Sequence, residues 1–376
     1  MQTKQTVVLI CIDWFEPAFR AGGPIRSVAN LVRQIAVGSQ YYIFCSNRDL
    51  NNEVLDVKSD VWIDYNAQTK VFYASAGNSR QKFAMVYNQI HPNVIYVNGL
   101  YSIPFNVIPL LYGKSVKKVV APRGMLHEGA LLQKKWKKKL FFIFWRGMGW
   151  HKKVVFHATN ELEKRAIQKF FNTPVQVNVA ENFPRLFEFH RNENKQKGVL
   201  RMLSLALISP MKNHLLVLET LLHCNYKVHY QIAGPVKDAA YWEQCMTLIS
   251  KMPENVVVEY VGEIPPHQVE SILVKNDVFV MPSESENYAH AIIEAMSSGC
   301  PVITSKHTPW NQLQLHQAGI NVELNSSELL NAIDRFAEMN AAEFEVWSLK
   351  SHEYIMSNIQ MNSIINQHKA LFSVNS

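Results

Sequence analysis

Short runs of β-branched and aromatic residues alternate with helical patterns along this chain of 376 residues, and no other feature constrains the fold as strongly. Helical patterns such as Pro24–Ile35 and Gln81–Gln89 lie between the first six runs. A helix between two strands returns the chain to the starting edge of the sheet, so consecutive strands pair in parallel. The first half is therefore predicted to form a Rossmann-like domain. Its predicted strands are Thr6–Ile12, Tyr41–Cys45, Val71–Ala74, Asn93–Asn98, Lys117–Ala121 and Val154–Ala158.

The same alternation starts again after residue 200, which predicts a second Rossmann-like domain. Its strands are predicted at Arg201–Leu207, Val228–Ala233, Val256–Val261, Asp277–Met281 and Pro301–Thr304. Between the two series, Arg191–Gly198 (RNENKQKG) contains no apolar residue and is expected to be a solvated linker.

The predicted fold class is α/β, with two Rossmann-like domains that face each other across a cleft. We predict the first domain at 1–185, the linker at 186–199 and the second domain at 200–350. The remaining residues, 351–376, are predicted to form a helix that crosses back to the first domain.

Composition and charge exclude several classes of protein. Hydrophobic residues make up 48% of the chain, so both domains can bury a core. No run approaches the roughly 20 apolar residues of a membrane-spanning helix, and the first residues lack a signal-peptide cleavage site. The five cysteines are scattered and form no CxxC pair, which indicates a reduced, cytoplasmic protein. The net charge of +7 favours anionic partners such as phosphates, acidic lipids or nucleic acid.

Two glutamates eight residues apart, Glu286 and Glu294, follow the predicted strand Asp277–Met281. In a doubly wound sheet, ligands bind where loops leave the carboxyl ends of strands and meet the N-termini of helices. If a helix begins near Tyr288, both carboxylates can point into one cleft and accept hydroxyl protons from a sugar or a ribose. The spacing alone favours a solvated helix face instead.

The residues around these glutamates are more informative. The segment SESENYAHAIIEAMSSGCPVITS, residues 283–305, resembles the E-x7-E signature of glycosyltransferase family four. Further matches at NVIYVNGLYS (93–102), APRGML (121–126) and FHATNELE (156–163) extend the resemblance from about residue 8 to residue 322. The resemblance implies a retaining glycosyltransferase of the GT-B architecture, of the type that builds bacterial polysaccharides and glycans.

The resemblance also implies a binding site for the donor, a nucleoside diphosphate sugar. It assigns the sugar hydroxyls to Glu286 and the ribose to Glu294. The backbone amides that it assigns to the phosphate or the sugar belong to Asn287, Tyr288 and Ala289.

A phosphate-binding segment, LALISPMKN at residues 205–213, matches the family at Lys212 and Asn213. Family members place an arginine where this chain has Leu207, so Lys212 is expected to stabilise the departing diphosphate without that arginine. Arg26 or Arg123 could supply the missing positive charge.

In the first half, Gly22 and Gly23 precede a helix that begins at Pro24, and they resemble the glycine loop of the same family. An ordinary turn explains the two glycines equally well. Arg26, Arg123 and His127 are candidate contacts for the acceptor or a phosphate. His127 is also a candidate catalytic base, although a single loop histidine is more often structural.

The implied reaction proceeds on one face of the sugar, and the departing phosphate helps to deprotonate the acceptor. No cofactor beyond the nucleotide sugar is expected. No metal is implied, because the chain has no Asp-x-Asp pair and no His/Cys cluster. Two other functions stay open: a sugar-nucleotide binding subunit that has lost catalysis, which Leu207 favours, and a GT-B sugar-nucleotide epimerase.

Residues 131–150 read LLQKKWKKKLFFIFWRGMGW and combine five lysines with six aromatic residues. Such a segment suits an anionic lipid surface, but a core helix whose lysines face water fits equally well. Nucleic acid ranks lowest, since the chain carries no nucleic-acid-binding motif. We therefore expect a glycan or lipid-linked saccharide acceptor, no nucleic acid, and a cytoplasmic protein that can bind the inner face of the cytoplasmic membrane.

Overall fold

The structure is a computed structural model that describes residues 6–35, 39–126, 135–192 and 194–374. It divides the chain into two units. The first comprises Met1–Phe183 together with Met361–Ser376, and the second comprises Pro184–Gln360. The C-terminal segment thus belongs to the first unit.

The first unit contains an eight-stranded sheet in which all neighbouring strands are parallel except one antiparallel pair at an edge. The strand order is β3-β4-β2-β1-β5-β6-β7-β8. The central strand β5 is buried at every residue, as expected for a parallel strand covered on both faces. The strands are β1 (Thr6–Cys11), β2 (Ser39–Ser46), β3 (Trp62–Asn66), β4 (Thr69–Ala74), β5 (Val94–Asn98), β6 (Lys117–Ala121), β7 (Val155–Ala158) and β8 (Gln176–Val179).

Five described helices belong to this unit. They are α1 (Gly23–Gln34), α2 (Ser79–Ile90), α3 (Lys135–Gly147), α4 (Glu161–Phe171) and, numbered in chain order, α11 (Met361–Phe372). α11 packs on the sheet through Phe372, whose ring lies 6.4 Å from Tyr41 and 5.2 Å from Tyr96. Aromatic burial of this kind anchors the end of the chain to the first unit.

The second unit contains a six-stranded, fully parallel sheet in the order β11-β10-β9-β12-β13-β14. Its strands are β9 (Val199–Leu205), β10 (Lys227–Ala233), β11 (Val256–Gly262), β12 (Val278–Met281), β13 (Val302–Ser305) and β14 (Gly319–Val322). Its described helices are α5 (His214–Leu221), α6 (Ala239–Ile249), α7 (Val269–Leu273), α8 (His290–Ser297), α9 (Ser326–Glu338) and α10 (Ala341–Asn358). Two parallel α/β domains are thus present, as the sequence predicted.

Each sheet has a point where the direction of winding reverses. In the first unit, the first strand β1 lies between β2 and β5; in the second, β9 lies between β10 and β12. The loops that leave two such neighbouring strands diverge and open a crevice at the carboxyl edge of the sheet. Functional side chains are therefore expected at the two crevices, β1/β5 and β9/β12.

The segment predicted as a solvated linker contains a buried lysine. Lys195 is only 4% exposed, and its ammonium donates hydrogen bonds to the carbonyls of Gln196, Val199 and Met339 at 2.7, 3.0 and 3.1 Å. Burial lowers the pKa of this lysine. A polar segment can be buried when its charge finds enough backbone acceptors, and here carbonyls at the end of α9 help to supply them.

Candidate functional site

The β9/β12 crevice brings two loops of the second unit together. The loop after β9 ends in the short turn Pro210–Lys212, and Asn213 then adopts a left-handed conformation (φ 58°) before α5 begins. The loop after β12 ends at Ala289, which is also left-handed (φ 60°), before α8 begins. A backbone hydrogen bond of 2.9 Å from Glu284 to Met211 joins the two loops.

A glycine lets these loops pack closely. Gly234 follows β10 with φ 132°, and a Cβ atom placed there would lie 2.0 Å from the carbonyl oxygen of Ala206. Any larger residue would push the loops after β9 and β10 apart. The geometry of the β9/β12 crevice therefore depends on this backbone contact.

Lys212 and Glu286 form an ion pair across the crevice. Their side chains are 20% and 11% exposed, so the pair is partly shielded from solvent. Charges in such an environment interact more strongly than they do at an open surface. Two residues predicted to bind the diphosphate and the sugar thus lie in direct contact, 74 residues apart in the sequence.

Glu294 lies within α8, where every residue is buried, and is itself 2% exposed. The helix is apolar on nearly all sides, because it packs between the sheet and α10. His352 of α10 contacts the carbonyl of Ser297 at 2.6 Å, and Ser348 donates to the carbonyl of Gly299. Glu294 is therefore a buried carboxylate in a rigid helix rather than part of a solvated face.

Residues that follow β13 form hydrogen bonds to the loop between Glu286 and Glu294. The indole nitrogen of Trp310 donates to the carbonyl of Tyr288 at 3.2 Å, and the ring of Tyr288 lies 4.8 Å from that of His290. The backbone N–H of Glu286 donates to the carbonyl of His307 at 3.2 Å. Asn287, Tyr288 and Ala289 are thus fixed at the N-terminus of α8, where N–H groups can meet an anion.

Two buried polar atoms at this crevice were not predicted from the sequence. Among the described residues, neither the Ser283 hydroxyl nor Nδ1 of His214 has a hydrogen-bond partner. Burial, and secondarily the charge of Lys212, lower the pKa of His214 to about 4, so this histidine is neutral near pH 7. An unsatisfied buried polar group often marks a place where water or a ligand binds. Ser283 lies two residues after the predicted strand Asp277–Met281 and His214 directly follows the segment 205–213, and those positions were the available signal.

A cavity of about 380 Å³ opens beside these loops. It is lined by Pro210, Asn213, Leu215, Asp238, Ala240, Tyr241, Gln244 and Glu284. Its volume is in the range that binds small ligands, and its wall is rich in carboxylates and amides. The predicted residue Asn213 thus lines a polar cavity next to the Lys212–Glu286 pair.

In the first unit, Gly22 and Gly23 lie at the start of α1. Gly22 has φ 68°, and a Cβ atom added to either glycine would meet no other atom within 4 Å. Among the described side chains none caps this helix. Arg26 lies in the first turn of α1 and is half-buried.

The side chain of Arg123 forms hydrogen bonds within the first unit. Its guanidinium donates to the side-chain oxygens of Asn98 (2.8 and 3.1 Å) and Asn182 (2.5 Å) and to the hydroxyl of Tyr96 (2.8 Å). All three guanidinium nitrogens therefore have partners. A cation with this many partners is held in one place by the fold.

The Arg123 network continues through the sheet. Tyr96 contacts Nδ1 of His157 at 2.7 Å, and Nε2 of His157 contacts the carbonyl of Ala180 at 2.7 Å. Since a carbonyl only accepts, Nε2 carries the proton, and Nδ1 accepts from the Tyr96 hydroxyl. Burial lowers the pKa of His157 well below its usual range and raises that of Tyr96 to about 12. The remaining predicted site residue of this unit, His127, lies outside the described residues.

Asp13 was not predicted, although it directly follows β1 at the β1/β5 crevice. Burial is the largest influence and raises the pKa of Asp13. A polar residue after an apolar strand was the only sequence signal for it.

Comparison with known proteins agrees with this architecture. Residues 187–345 match the family described as Glycosyl transferases group 1. A protein of Salmonella typhimurium named as a colanic acid biosynthesis glycosyltransferase, WcaL, is 25% identical over 194 residues, which cover 48% of this chain and 47% of that protein. The chain thus spans less than half the length of this relative.

Solved structures resemble nearly the whole chain. Sucrose-phosphate synthase from Thermosynechococcus elongatus has a TM-score of 0.71 at 15% identity, covering 98% of each chain. HepE of Anabaena, solved in complex with UDP and glucose, has a TM-score of 0.68 at 14% identity, covering 98% of this chain and 100% of that one. The predicted GT-B fold is confirmed by these solved structures, and the match to the Glycosyl transferases group 1 family covers residues 187–345 of the second unit.

Proposed function

We propose that this chain is a retaining glycosyltransferase that moves a sugar from a UDP- or GDP-type nucleotide sugar to a hydroxyl group of a glycan or lipid-linked saccharide. The observation that carries the proposal is the Lys212–Glu286 pair at the β9/β12 crevice, and the buried Glu294 lies in α8, the helix that follows the loop of Glu286. The complex of HepE with UDP-glucose supports the class of donor.

The proposed roles follow from charge and position. The ammonium of Lys212 stabilises the negative charge that develops on the diphosphate as the glycosidic bond to phosphate breaks. Glu286 accepts hydrogen bonds from sugar hydroxyls, and Glu294 accepts from the ribose. The backbone N–H groups at the start of α8 add positive potential near the phosphate. The proposal includes no metal ion and no cofactor besides the nucleotide sugar.

Two alternatives make different predictions for one experiment, in which the protein is mixed with UDP- and GDP-sugars and a saccharide mixture. A transferase releases nucleoside diphosphate and forms a new glycosidic bond. A binding subunit binds a nucleotide sugar without releasing diphosphate, and an epimerase alters the sugar without an acceptor. Binding without release would refute the proposed function.

Replacing Glu294 by alanine is expected to weaken nucleotide binding roughly ten- to a hundredfold. A lost hydrogen bond to a charged acceptor costs about 1.5–3 kcal/mol, which converts to that range of dissociation constants. Calorimetric titration with nucleoside diphosphate measures the change, and circular dichroism checks the fold. Glu323→Ala, at an exposed carboxylate of the same unit, is the control. Unchanged affinity in Glu294→Ala would remove this residue from the site.

We further propose that α3 binds an anionic membrane surface, where a lipid-linked acceptor would be found. Phe142 and Trp145 of this helix are buried in the core of the first unit. In contrast, five apolar residues on and just after the helix are exposed, at helical spacing; they are Trp136 (65%), Leu140 (59%), Ile143 (59%), Phe144 (49%) and Met148 (40%). A single segment thus combines a buried face, an exposed apolar face and neighbouring lysines, as interfacial helices do. Within the described residues, no helix is long and apolar enough to cross a membrane.

Replacing Lys137, Lys138 and Lys139 by glutamine is expected to release the protein from acidic vesicles. Each lysine near an anionic surface contributes about 1 kcal/mol, so three substitutions should weaken binding about a hundredfold. Co-sedimentation with vesicles of phosphatidylglycerol and phosphatidylcholine measures the effect at low salt. A matched control replaces three exposed lysines of the second unit, Lys251, Lys275 and Lys350. Equal binding of the wild type to neutral and acidic vesicles would refute this proposal.

A further inference from the structure

Lys212 and Glu286 have each other as side-chain partners. Among the described residues, the structure gives neither side chain a second ion-pair or hydrogen-bond partner. An ammonium has three donors and a carboxylate about four acceptor sites, so both groups keep unused capacity. The Arg201–Asp277 pair of the same unit differs, because Asp277 accepts from both the backbone and the guanidinium of Arg201, at 2.8 and 2.6 Å. A ligand can therefore open the Lys212–Glu286 pair more easily than a pair joined by several bonds.

The backbone near both residues is fixed. The N–H of Lys212 donates to the carbonyl of Ser209 at 3.0 Å. Two residues before Glu286, the N–H of Glu284 donates to the carbonyl of Met211 at 2.9 Å, which joins the second loop to the residue before Lys212. The two side chains thus stay within reach of each other, and the pair can form again after opening with little loss of conformational entropy.

The charges of this pair are partly shielded from water, as the exposures of 20% for Lys212 and 11% for Glu286 indicate. The neighbouring His214 adds no second positive charge near pH 7, because burial and then the charge of Lys212 lower its pKa to about 4. A phosphate that contacts the ammonium of Lys212 also lies close to the carboxylate of Glu286. Two negative charges at such a distance repel each other, and the repulsion is stronger in a shielded site than in water.

A nucleotide sugar and a free nucleoside diphosphate offer different groups to this pair. In the roles proposed above, the diphosphate accepts from Lys212 and the sugar hydroxyls donate to Glu286. An intact donor therefore replaces the partner of both residues. A nucleoside diphosphate replaces the partner of Lys212 only, so it leaves the Glu286 carboxylate unpaired beside a second anion, which costs free energy.

We propose that Glu286 makes the β9/β12 crevice selective for intact nucleotide sugars over nucleoside diphosphates, an inference that rests on the proposed function. The carboxylate binds the sugar hydroxyls of the donor and competes with the diphosphate of the product for Lys212. Once the sugar has been transferred, Glu286 binds Lys212 again, and this weakens binding of the diphosphate. Glu286 is thus a specificity-determining residue that also promotes product release.

Calorimetric titration of the full chain tests this proposal, with UDP, GDP, UDP-glucose and GDP-glucose as probes. We expect Glu286→Gln to bind nucleoside diphosphate about tenfold more tightly than the wild type does, an effect between those of an exposed and a buried ion pair. The nucleotide sugars should gain no affinity, because an amide accepts more weakly from sugar hydroxyls than a carboxylate does. The preference for the intact donor should therefore fall about tenfold.

Glu284→Gln is the matched control. Glu284 is exposed on the same loop, two residues before Glu286, and in the part of the chain that the structure describes it forms no ion pair. The substitution removes the same unit of charge, so the affinity for nucleoside diphosphate should stay within about twofold of the wild type. Glutamine is nearly the same size as glutamate, and thermal unfolding of both variants checks that the fold is preserved.

Three results would overturn the proposed selectivity: equal affinity for nucleoside diphosphate in the wild type and Glu286→Gln, an equal gain in Glu284→Gln, or an equal gain for the nucleotide sugars. If the wild type nevertheless forms a glycosidic bond and releases diphosphate, the transferase stands without this selectivity. Absence of nucleotide binding in the wild type and Glu286→Gln contradicts both proposals. Selectivity that depends on Glu286, in a protein that releases no diphosphate from any nucleotide sugar, supports this inference and refutes the transferase.

Discussion

Replacing Lys212 by alanine is expected to lower kcat about a hundredfold or more. The diphosphate gains negative charge as the sugar departs, and removing one preorganised electrostatic contact typically costs a factor of 10² to 10³ in kcat. The resemblance to glycosyltransferase family four implies an arginine at the position of Leu207, whose uncharged side chain cannot neutralise this charge. Lys212 should therefore matter more here than in enzymes that retain both cations.

Steady-state kinetics with the nucleotide sugar that gives diphosphate release measures this effect. Lys306→Ala is a suitable control, because Lys306 is exposed and pairs only at the surface with Glu323. The control should change kcat little. If Lys212→Ala is as active as the wild type, the diphosphate is held elsewhere and the donor site assigned to the β9/β12 crevice is incorrect.

Replacing Arg123 by methionine is expected to lower the free energy of unfolding of the first unit by about 3 kcal/mol. Methionine retains the bulk of the side chain but leaves the oxygens of Asn98, Asn182 and Tyr96 without their charged donor. Asn98, Asn182 and Tyr96 are 3%, 6% and 0% exposed, and each unsatisfied buried group costs about 1–3 kcal/mol. Arg123→Lys should restore little of the lost stability, because lysine lacks the planar guanidinium that reaches all three oxygens.

Chemical denaturation followed by circular dichroism measures this loss. Arg165→Met, at an exposed arginine of α4, is the matched control and should unfold like the wild type. Arg123 was predicted from the sequence as a contact for the acceptor or a phosphate. Unchanged stability of Arg123→Met together with lost substrate binding would favour that role over the structural one.

Local patterns predicted most of the two sheets. The apolar runs at β1, β5 and β12 are unambiguous because buried parallel strands contain few polar residues. The edge strand β3 was not predicted, since its sequence WIDYN mixes apolar and polar residues and is largely exposed. Neither were β8 and β14, whose sequences QVNV and GINV contain asparagine and glycine, residue types that are depleted in strands.

The candidate site was only partly predictable for a similar reason. The position of Glu294 in a helix after a strand follows from the sequence around it. Its near-complete burial does not, because that depends on α10, which packs on α8 from about 50 residues further along the chain. The linker prediction placed Lys195 in solvent for the same reason, since the carbonyls that surround its ammonium come partly from the end of α9.

The sequence by itself determined the alternation of strands with helices, most strands of the two sheets, and the residue types that follow those strands. These depend on hydrophobic periodicity and turn chemistry, which act over a few neighbouring residues. The tertiary structure alone decided that Lys212 contacts Glu286 and that Arg123 binds Asn98, Asn182 and Tyr96. Such contacts join residues far apart in the chain, and they exist because the spatial order of strands in a doubly wound sheet differs from their order in the sequence.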